Sequence, residues 1–203
     1  MKRNGFKFLV LGLCAIPLCS VAQEKHPIPV DNHLAIAPLY DASFYERYKA
    51  VLYDDAKERP AIKITVMPSF HSVFTLAFVR GKIKIRTAKR AMAKDDNVEI
   101  EMREIKPSKA LYDSLSKLFN FALLQTRVDA NFTMGLDGTR YYMSSFEPFK
   151  QRVIGMLWSP RPGSDMDELT KIISRIYYLK EEKESESELY DAALALLKRL
   201  KSQ

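Results

Sequence analysis

The stretch from Ile62 to Arg86 reads IKITVMPSFHSVFTLAFVRGKIKIR, and its pattern decides the fold. Apolar side chains alternate with polar ones in IKITV and again in KIKIR, whereas FTLAFV is apolar on both faces. A period of two is typical of β-strands, and one polar face is typical of an antiparallel sheet that is covered on one side. Arg80-Gly81 stands between the last two runs and predicts a tight hairpin.

The alternation continues beyond this stretch. A fourth run, Val98 to Met102, follows a polar and charged connection. Pro107-Ser108 then predicts the start of a helix, with Ser108 as N-cap, because a serine hydroxyl at that position accepts a backbone N–H of the first turn. Two further strands are predicted at about 139–146 and 151–158.

Three other segments have the spacing of amphipathic helices. Ser164 is the predicted N-cap of one, and its acidic opening turn suits the positive end of the helix dipole. Another covers 181–203, with leucine and alanine along one face between residues 189 and 200. The third is an N-terminal helix at 43–57, predicted from the spacing of its aromatic and aliphatic residues.

The element order ββββαββα predicts an α+β fold. We expect a two-layer sandwich in which an antiparallel sheet carries helices on one face, with helical extensions at the N- and C-termini. The predicted organisation is a signal peptide at 1–22, an extended leader and helix at 23–60, an α+β domain at 61–180, and a C-terminal amphipathic helix at 181–203.

Residues 1–22 have the layout of a secretory signal peptide. Three basic residues precede a twelve-residue apolar run, Phe8 to Cys19, and small residues follow it. About 20 apolar residues are needed to span a bilayer, so the run is short for an anchor. We therefore expect cleavage after Ala22 and export to the periplasm or the exterior of a bacterial cell.

Charge and cysteine content change once this segment is removed. The whole chain is 47% hydrophobic and 28% charged, as in ordinary globular proteins, and its net charge is +7. Without residues 1–22 it has 29 basic residues against 25 acidic ones and neither Cys14 nor Cys19. The remaining chain has no disulfide, thiolate nucleophile or cysteine metal site, and export argues against a nucleic-acid partner.

A basic stripe follows the hairpin. It consists of Lys82, Lys84, Arg86, Lys89, Arg90 and Lys94. Such a stripe could contact phosphate, lipopolysaccharide or an acidic protein. The favoured interpretation is cross-strand pairing with Glu99 and Glu101 on the next strand.

Three short motifs lie at predicted strand ends and turns. They are Ser69-Phe70-His71, Gly135-Leu136-Asp137-Gly138 and Trp158-Ser159-Pro160. In this order they resemble a widespread bacterial family of small, often exported α+β proteins with no established function. The resemblance runs from about Ile62 to Leu179 and implies a shared fold without supplying an activity. Members often have an arginine before the Ser-Phe-His run, where this chain has Pro68.

His71, Asp137 and Ser159 could converge as base, orienting carboxylate and nucleophile, the set that acyl transfer requires. However, no Gly-x-Ser-x-Gly elbow surrounds Ser159, and Pro160 lacks the N–H of an oxyanion donor. Structural roles in turns and at strand ends are the favoured alternative. We therefore predict no catalytic residue and treat seven positions as candidate binding or motif residues: Ser69, Phe70, His71, Asp137, Gly138, Trp158 and Ser159.

No metal or cofactor site is predicted. The three histidines lack the spacing of ligands, and the acidic pairs lack the glycine and terminal glutamate of a calcium loop. We expect a noncatalytic envelope or periplasmic binding module whose partner is an envelope protein or ligand of unknown identity. The alternatives are a small hydrolase using His71, Asp137 and Ser159, and a structural envelope component that self-associates through the helix at 189–200.

Overall fold

The computed structural model describes residues 27–29, 60–69, 71–88, 99–127, 138–146, 153–179 and 183–203. The predicted signal peptide and the predicted N-terminal helix lie outside these residues. Of the basic stripe, Lys89, Arg90 and Lys94 also lie outside them.

The described residues form strands and helices in the predicted α+β order, preceded by one short strand. The fold class and the order ββββαββα are therefore confirmed. The elements are β1 (Ile28–Pro29), β2 (Ile62–Pro68), β3 (Val73–Val79), β4 (Lys82–Ala88), β5 (Ile100–Ile105), α1 (Lys109–Leu124), β6 (Thr139–Ser145), β7 (Val153–Trp158), α2 (Asp165–Tyr178) and α3 (Lys183–Lys201).

The strands form one antiparallel sheet in the order β1-β7-β6-β2-β3-β4-β5. β2 to β5 follow one another as a meander. The chain then crosses through α1 and returns as β6 on the free side of β2. Ile64 of β2 consequently lies opposite Leu76 on one side and Met143 on the other. The predicted hairpin is confirmed at Arg80-Gly81, where both residues have positive φ, the geometry that suits a two-residue hairpin.

The helices pack on one face of the sheet. The N-caps are confirmed: Ser108 Oγ accepts the Leu111 N–H at 3.3 Å, and Ser164 Oγ accepts the Asp167 N–H at 3.1 Å. α3 contacts both α1 and α2, and its apolar face is buried in the core. The apolar face that the self-association alternative uses is therefore packed in the core of the chain itself.

β5 differs from its predicted orientation. The alternation predicted Ile100 and Met102 on the covered face, but Met102 is 72% exposed. The register with β4 pairs Ile85 with Arg103 and Ile83 with Ile105. This turns Arg103 and Ile105 toward the helices, because residues two apart share a face. The strand extends to Ile105, and burying that side chain in the core fixes its orientation.

β1 adds a strand that the sequence pattern did not indicate. It pairs with β7 at Gly155 and Met156, and the Pro27 carbonyl accepts the Arg127 N–H at 3.1 Å. A methyl group on Gly155 would lie only 2.8 Å from the Pro27 Cβ. The absence of a side chain at Gly155 is therefore what lets the segment at 27–29 lie against β7.

We predict that Gly155→Ala displaces residues 27–29 from β7, because the added methyl group would lie within 2.8 Å of the Pro27 Cβ, closer than carbon atoms pack. Hydrogen exchange measured by mass spectrometry should show faster exchange at Ile28. Gly163→Ala is the control for general destabilisation: it adds a methyl group into open space at a φ of 81°, which strains the backbone away from β7. Unchanged exchange at Ile28 in Gly155→Ala would contradict the prediction.

The first turn of α2 is held by a charged side chain. The Asp167 carboxylate accepts the Gly163 N–H at 2.8 Å and lies 2.9 Å from the Lys171 ammonium. Burial opposes ionisation of Asp167, but these two partners outweigh it and hold the pKa below its ordinary value. The ionised form is therefore bound more favourably in the folded chain than in the unfolded one.

We predict that Asp167→Asn lowers the free energy of unfolding at pH 7 by about 1 kcal/mol, the usual scale for a helix-cap interaction. Because the folded pKa is depressed, this contribution is present above the unfolded pKa and is lost as the pH falls through the folded value. The stabilities of variant and wild type in urea titrations should therefore converge progressively as the pH falls below the ordinary aspartate pKa of about 3.9. Asp113→Asn, which removes an exposed carboxylate paired with Lys109, is the control. If the difference in free energy of unfolding between Asp167→Asn and wild type persisted undiminished in acid, the ionised carboxylate would not be its source.

Candidate functional site

The three motif segments meet where the strands β2, β6 and β7 begin or end. Ser69 follows β2, Gly138 precedes β6 and Ser159 follows β7. β6 is antiparallel to both neighbours, so its beginning lies beside the ends of β2 and β7. The sheet thus brings together segments that are 69 and 20 residues apart along the chain.

The Ser69 side chain forms hydrogen bonds with both the N–H and the C=O of Gly138. Its hydroxyl donates to the Gly138 carbonyl at 2.8 Å and accepts the Gly138 N–H at 3.0 Å. The Ser69 N–H also donates to the same carbonyl, at 3.1 Å. These bonds extend the β2–β6 ladder beyond its last strand pair.

Ser159 has the same role on the other side of β6. Its N–H donates to the Thr139 carbonyl at 3.0 Å, and its Oγ accepts the Thr139 N–H at 2.9 Å. It does so from a left-handed backbone conformation, with φ of 35°, which is uncommon for a residue with a side chain. The local hydrogen bonds offset that conformational cost.

Gly138 fits between these serines because it has no side chain. Its φ of 148° lies in a region that other residues rarely adopt. A Cβ at this position would lie 2.7 Å from the Trp158 Nε1 and would also collide with the Ser159 Oγ. Trp158 is itself buried, so its indole fills the space in front of the glycine.

The structure therefore brings together four of the seven predicted positions: Ser69, Gly138, Trp158 and Ser159. His71 lies two residues beyond Ser69 and is exposed. Phe70 and Asp137 lie outside the described residues. The arrangement of His71, Asp137 and Ser159 as a catalytic set stays a prediction.

We predict that Ser69→Ala lowers the free energy of unfolding by about 1–3 kcal/mol, because it leaves partly buried backbone groups of Gly138 without their hydroxyl partner. Ser72→Ala, a nearby partly buried serine, is the control and should change stability by less than about 0.5 kcal/mol. Urea denaturation followed by circular dichroism measures both. Equal effects at the two positions would show that the Ser69 hydroxyl does not hold the strand ends.

A second candidate site lies at the edge of the sheet that β5 forms. It is a cleft of about 260 Å³ between the strands β4 and β5 and the C-terminal end of α2. Its lining combines aliphatic, aromatic and charged side chains: Ile85, Thr87, Glu101, Arg103, Tyr177 and Tyr178.

Arg103 connects β5 to the end of α2. Its guanidinium donates to the Tyr177 carbonyl and, at 3.3 Å, to the Leu179 carbonyl. A cation suits this position, because the last carbonyls of a helix carry partial negative charge. The guanidinium carbon also lies 6.0 Å from the centre of the Tyr177 ring, within range of a cation–π interaction.

The two tyrosines give the cleft an aromatic wall. Tyr177 is held by Thr87, whose hydroxyl donates to the phenol oxygen at 3.1 Å, and by Phe74, whose ring centre is 4.2 Å away. Tyr178 packs edge-on against Tyr177 at 4.9 Å and is 73% exposed. The cleft thus presents a fixed inner ring and an exposed outer ring beside two charged side chains.

Sequence reasoning missed this cleft because it placed the opposite face of β5 toward the helices. The available signal was Ile105: continuing the alternation to this residue puts Arg103 and Glu101 on the covered side. With that orientation, the tyrosine pair at the end of α2 faces a charged strand.

Lys82 of the basic stripe forms a cross-strand ion pair, with a glutamate other than the two predicted. Lys82 contacts the Glu104 carboxylate at 2.8 Å, and this bond lowers the pKa of Glu104. Glu101 lies on the helix-covered face while Lys82 lies on the other, so the partner of Lys82 is Glu104 and not Glu101. Glu104 has the position that the pairing requires.

Comparison with known proteins finds no family model, curated protein or solved structure that matches this chain. None of the described helices is long and apolar enough to cross a membrane. Within the described ranges, no three histidine, cysteine, aspartate or glutamate side chains gather in a way that could hold a metal ion.

Proposed function

We propose that this chain is a noncatalytic binding module exported to the bacterial envelope. The observation that carries the proposal is the use of the motif hydroxyls: those of Ser69 and Ser159 bond to the backbone at the beginning of β6. The layout of residues 1–22 supports export.

Acyl transfer places different demands on a serine. The nucleophile must donate its proton to a base, and backbone N–H groups must face the developing oxyanion. Ser159 Oγ instead accepts the Thr139 N–H, and the following residue, Pro160, has no N–H to offer. Ser69 donates and accepts toward a single residue, Gly138. These bonds support a structural role for both serines.

The cleft between β5 and α2 is the best candidate for the binding surface. Aromatic side chains are enriched where proteins contact partners, since they bury a large area with little loss of conformational freedom. Tyr178 offers such a ring at 73% exposure, next to Glu101 and Arg103. We infer that the partner is an envelope protein that inserts a side chain into this cleft.

We predict that a photoreactive amino acid at position 178 crosslinks the chain to another envelope protein in intact cells of its host. The matched control is position 124, because Leu124 is 71% exposed and lies at the end of α1 rather than at the cleft. Adducts should be specific to position 178. Equal labelling from both positions, or none from either, would contradict binding at the cleft.

A fluorophosphonate probe tests the hydrolase alternative on the same purified protein. We expect labelling of the wild type no stronger than that of Ser159→Ala. Labelling that disappears in Ser159→Ala and that requires His71 would instead establish Ser159 as a nucleophile.

A further inference from the structure

β5 is the outermost strand on its side of the sheet. Among the described strands it has one neighbour, β4. The other side of such a strand presents backbone N–H and C=O groups that can pair with another chain. Met102 on β5 is among the most exposed large apolar side chains of the described residues, and Tyr178 lies beside the same strand.

The charges of β5 alternate in a way that permits pairing with itself. Glu101 and Arg103 lie on the helix-covered face, and Met102 and Glu104 lie on the other. In an antiparallel pair, residues directly opposite each other lie on the same face, and opposite charges there are favourable while like charges are not. The charges therefore decide which register two copies of β5 can adopt.

One register suits two copies. Centred on Met102, it places Glu101 opposite Arg103 of the partner subunit, twice by symmetry, and Met102 opposite itself. Centring on Glu101 or on Arg103 places two like charges face to face. Centring on Ile100 places Glu99 opposite Glu101 of the partner subunit, and centring on Glu104 places that residue opposite itself. A register centred between two residues would pair opposite faces, which an antiparallel ladder does not allow. Met102 is thus the centre without a like-charge pair.

We propose that β5 is the interface of a symmetric homodimer, in which two sheets join antiparallel in the register centred on Met102. The helices of both copies lie on the same side of the joined sheet, and the two clefts adjoin at the seam. Arg103 can bond to the end of α2 and pair with Glu101 of the partner subunit at the same time. Its guanidinium has five N–H donors, and only two of its nitrogen atoms bond to the helix carbonyls. The inference concerns the chain alone and stands apart from the envelope partner proposed above.

A disulfide at the centre of the register tests the geometry. In the full chain with Cys14 and Cys19 replaced by serine, Met102→Cys has a single thiol, and opposed strand residues lie at disulfide distance. Mild oxidation should crosslink it at least tenfold faster than Glu104→Cys, whose thiol would face Ile100 of the partner subunit, or Leu124→Cys. Crosslinking at one common rate for all three variants would overturn the proposal.

Charge exchange tests the register independently of cysteine chemistry. Sedimentation of the wild type up to about 100 μM should show a dimer, while Glu101→Lys and Arg103→Glu should each be monomeric. An equimolar mixture of these two variants should dimerise, since every opposed pair is then complementary. Glu104→Lys, facing an apolar residue, should stay dimeric, and circular dichroism checks that each variant is folded. A monomeric wild type, or a mixture that fails to dimerise, would reject the interface.

Discussion

β2 connects the two halves of the sheet, because it pairs with β3 on one side and with β6 on the other. Every strand beyond these two depends on it: β4 and β5 follow β3, and β7 and β1 follow β6. Ile62 and Ile64 are fully buried beneath the helices, so the same strand also anchors the core. Burial of each such side chain contributes about 1.5–3 kcal/mol.

At the ends of these strands, serine side chains bond to backbone N–H and C=O groups. Backbone N–H and C=O groups that leave a ladder need other partners when they are shielded from water. Ser69 and Ser159 supply these partners on the two sides of β6, and Gly138 leaves space for them in front of Trp158. Two serines that could be mistaken for catalytic residues from the sequence therefore satisfy backbone groups at the beginning of β6.

Much of the architecture could be predicted from local chemistry. The N-caps Ser108 and Ser164 and the Arg80-Gly81 hairpin are set by hydrogen bonds and backbone geometry within a few residues. β1 and the orientation of β5 could not be predicted in this way, because they depend on contacts between distant segments. These contacts are Pro27 against Gly155, and Ile105 within the core. The cleft was missed for the same reason, because Glu101 and Arg103 of β5 form part of its lining. The sequence predicted that the three motifs lie at strand ends and turns. The meeting of Ser69, Gly138 and Ser159 depends on the pairing of β6 with β2 and β7, which local sequence does not determine.

Arg103 has a thermodynamic consequence beyond its role as a helix cap. The side chain belongs to the outermost strand, bonds to the carbonyls of Tyr177 and Leu179, and lines the cleft. Any molecule that occupies the cleft and any strand that pairs with β5 therefore act on the same guanidinium. If one of these events shifts its position, the affinity for the other changes by a factor that is necessarily the same in both directions. The edge of the sheet and the end of α2 are in this sense a single coupled unit.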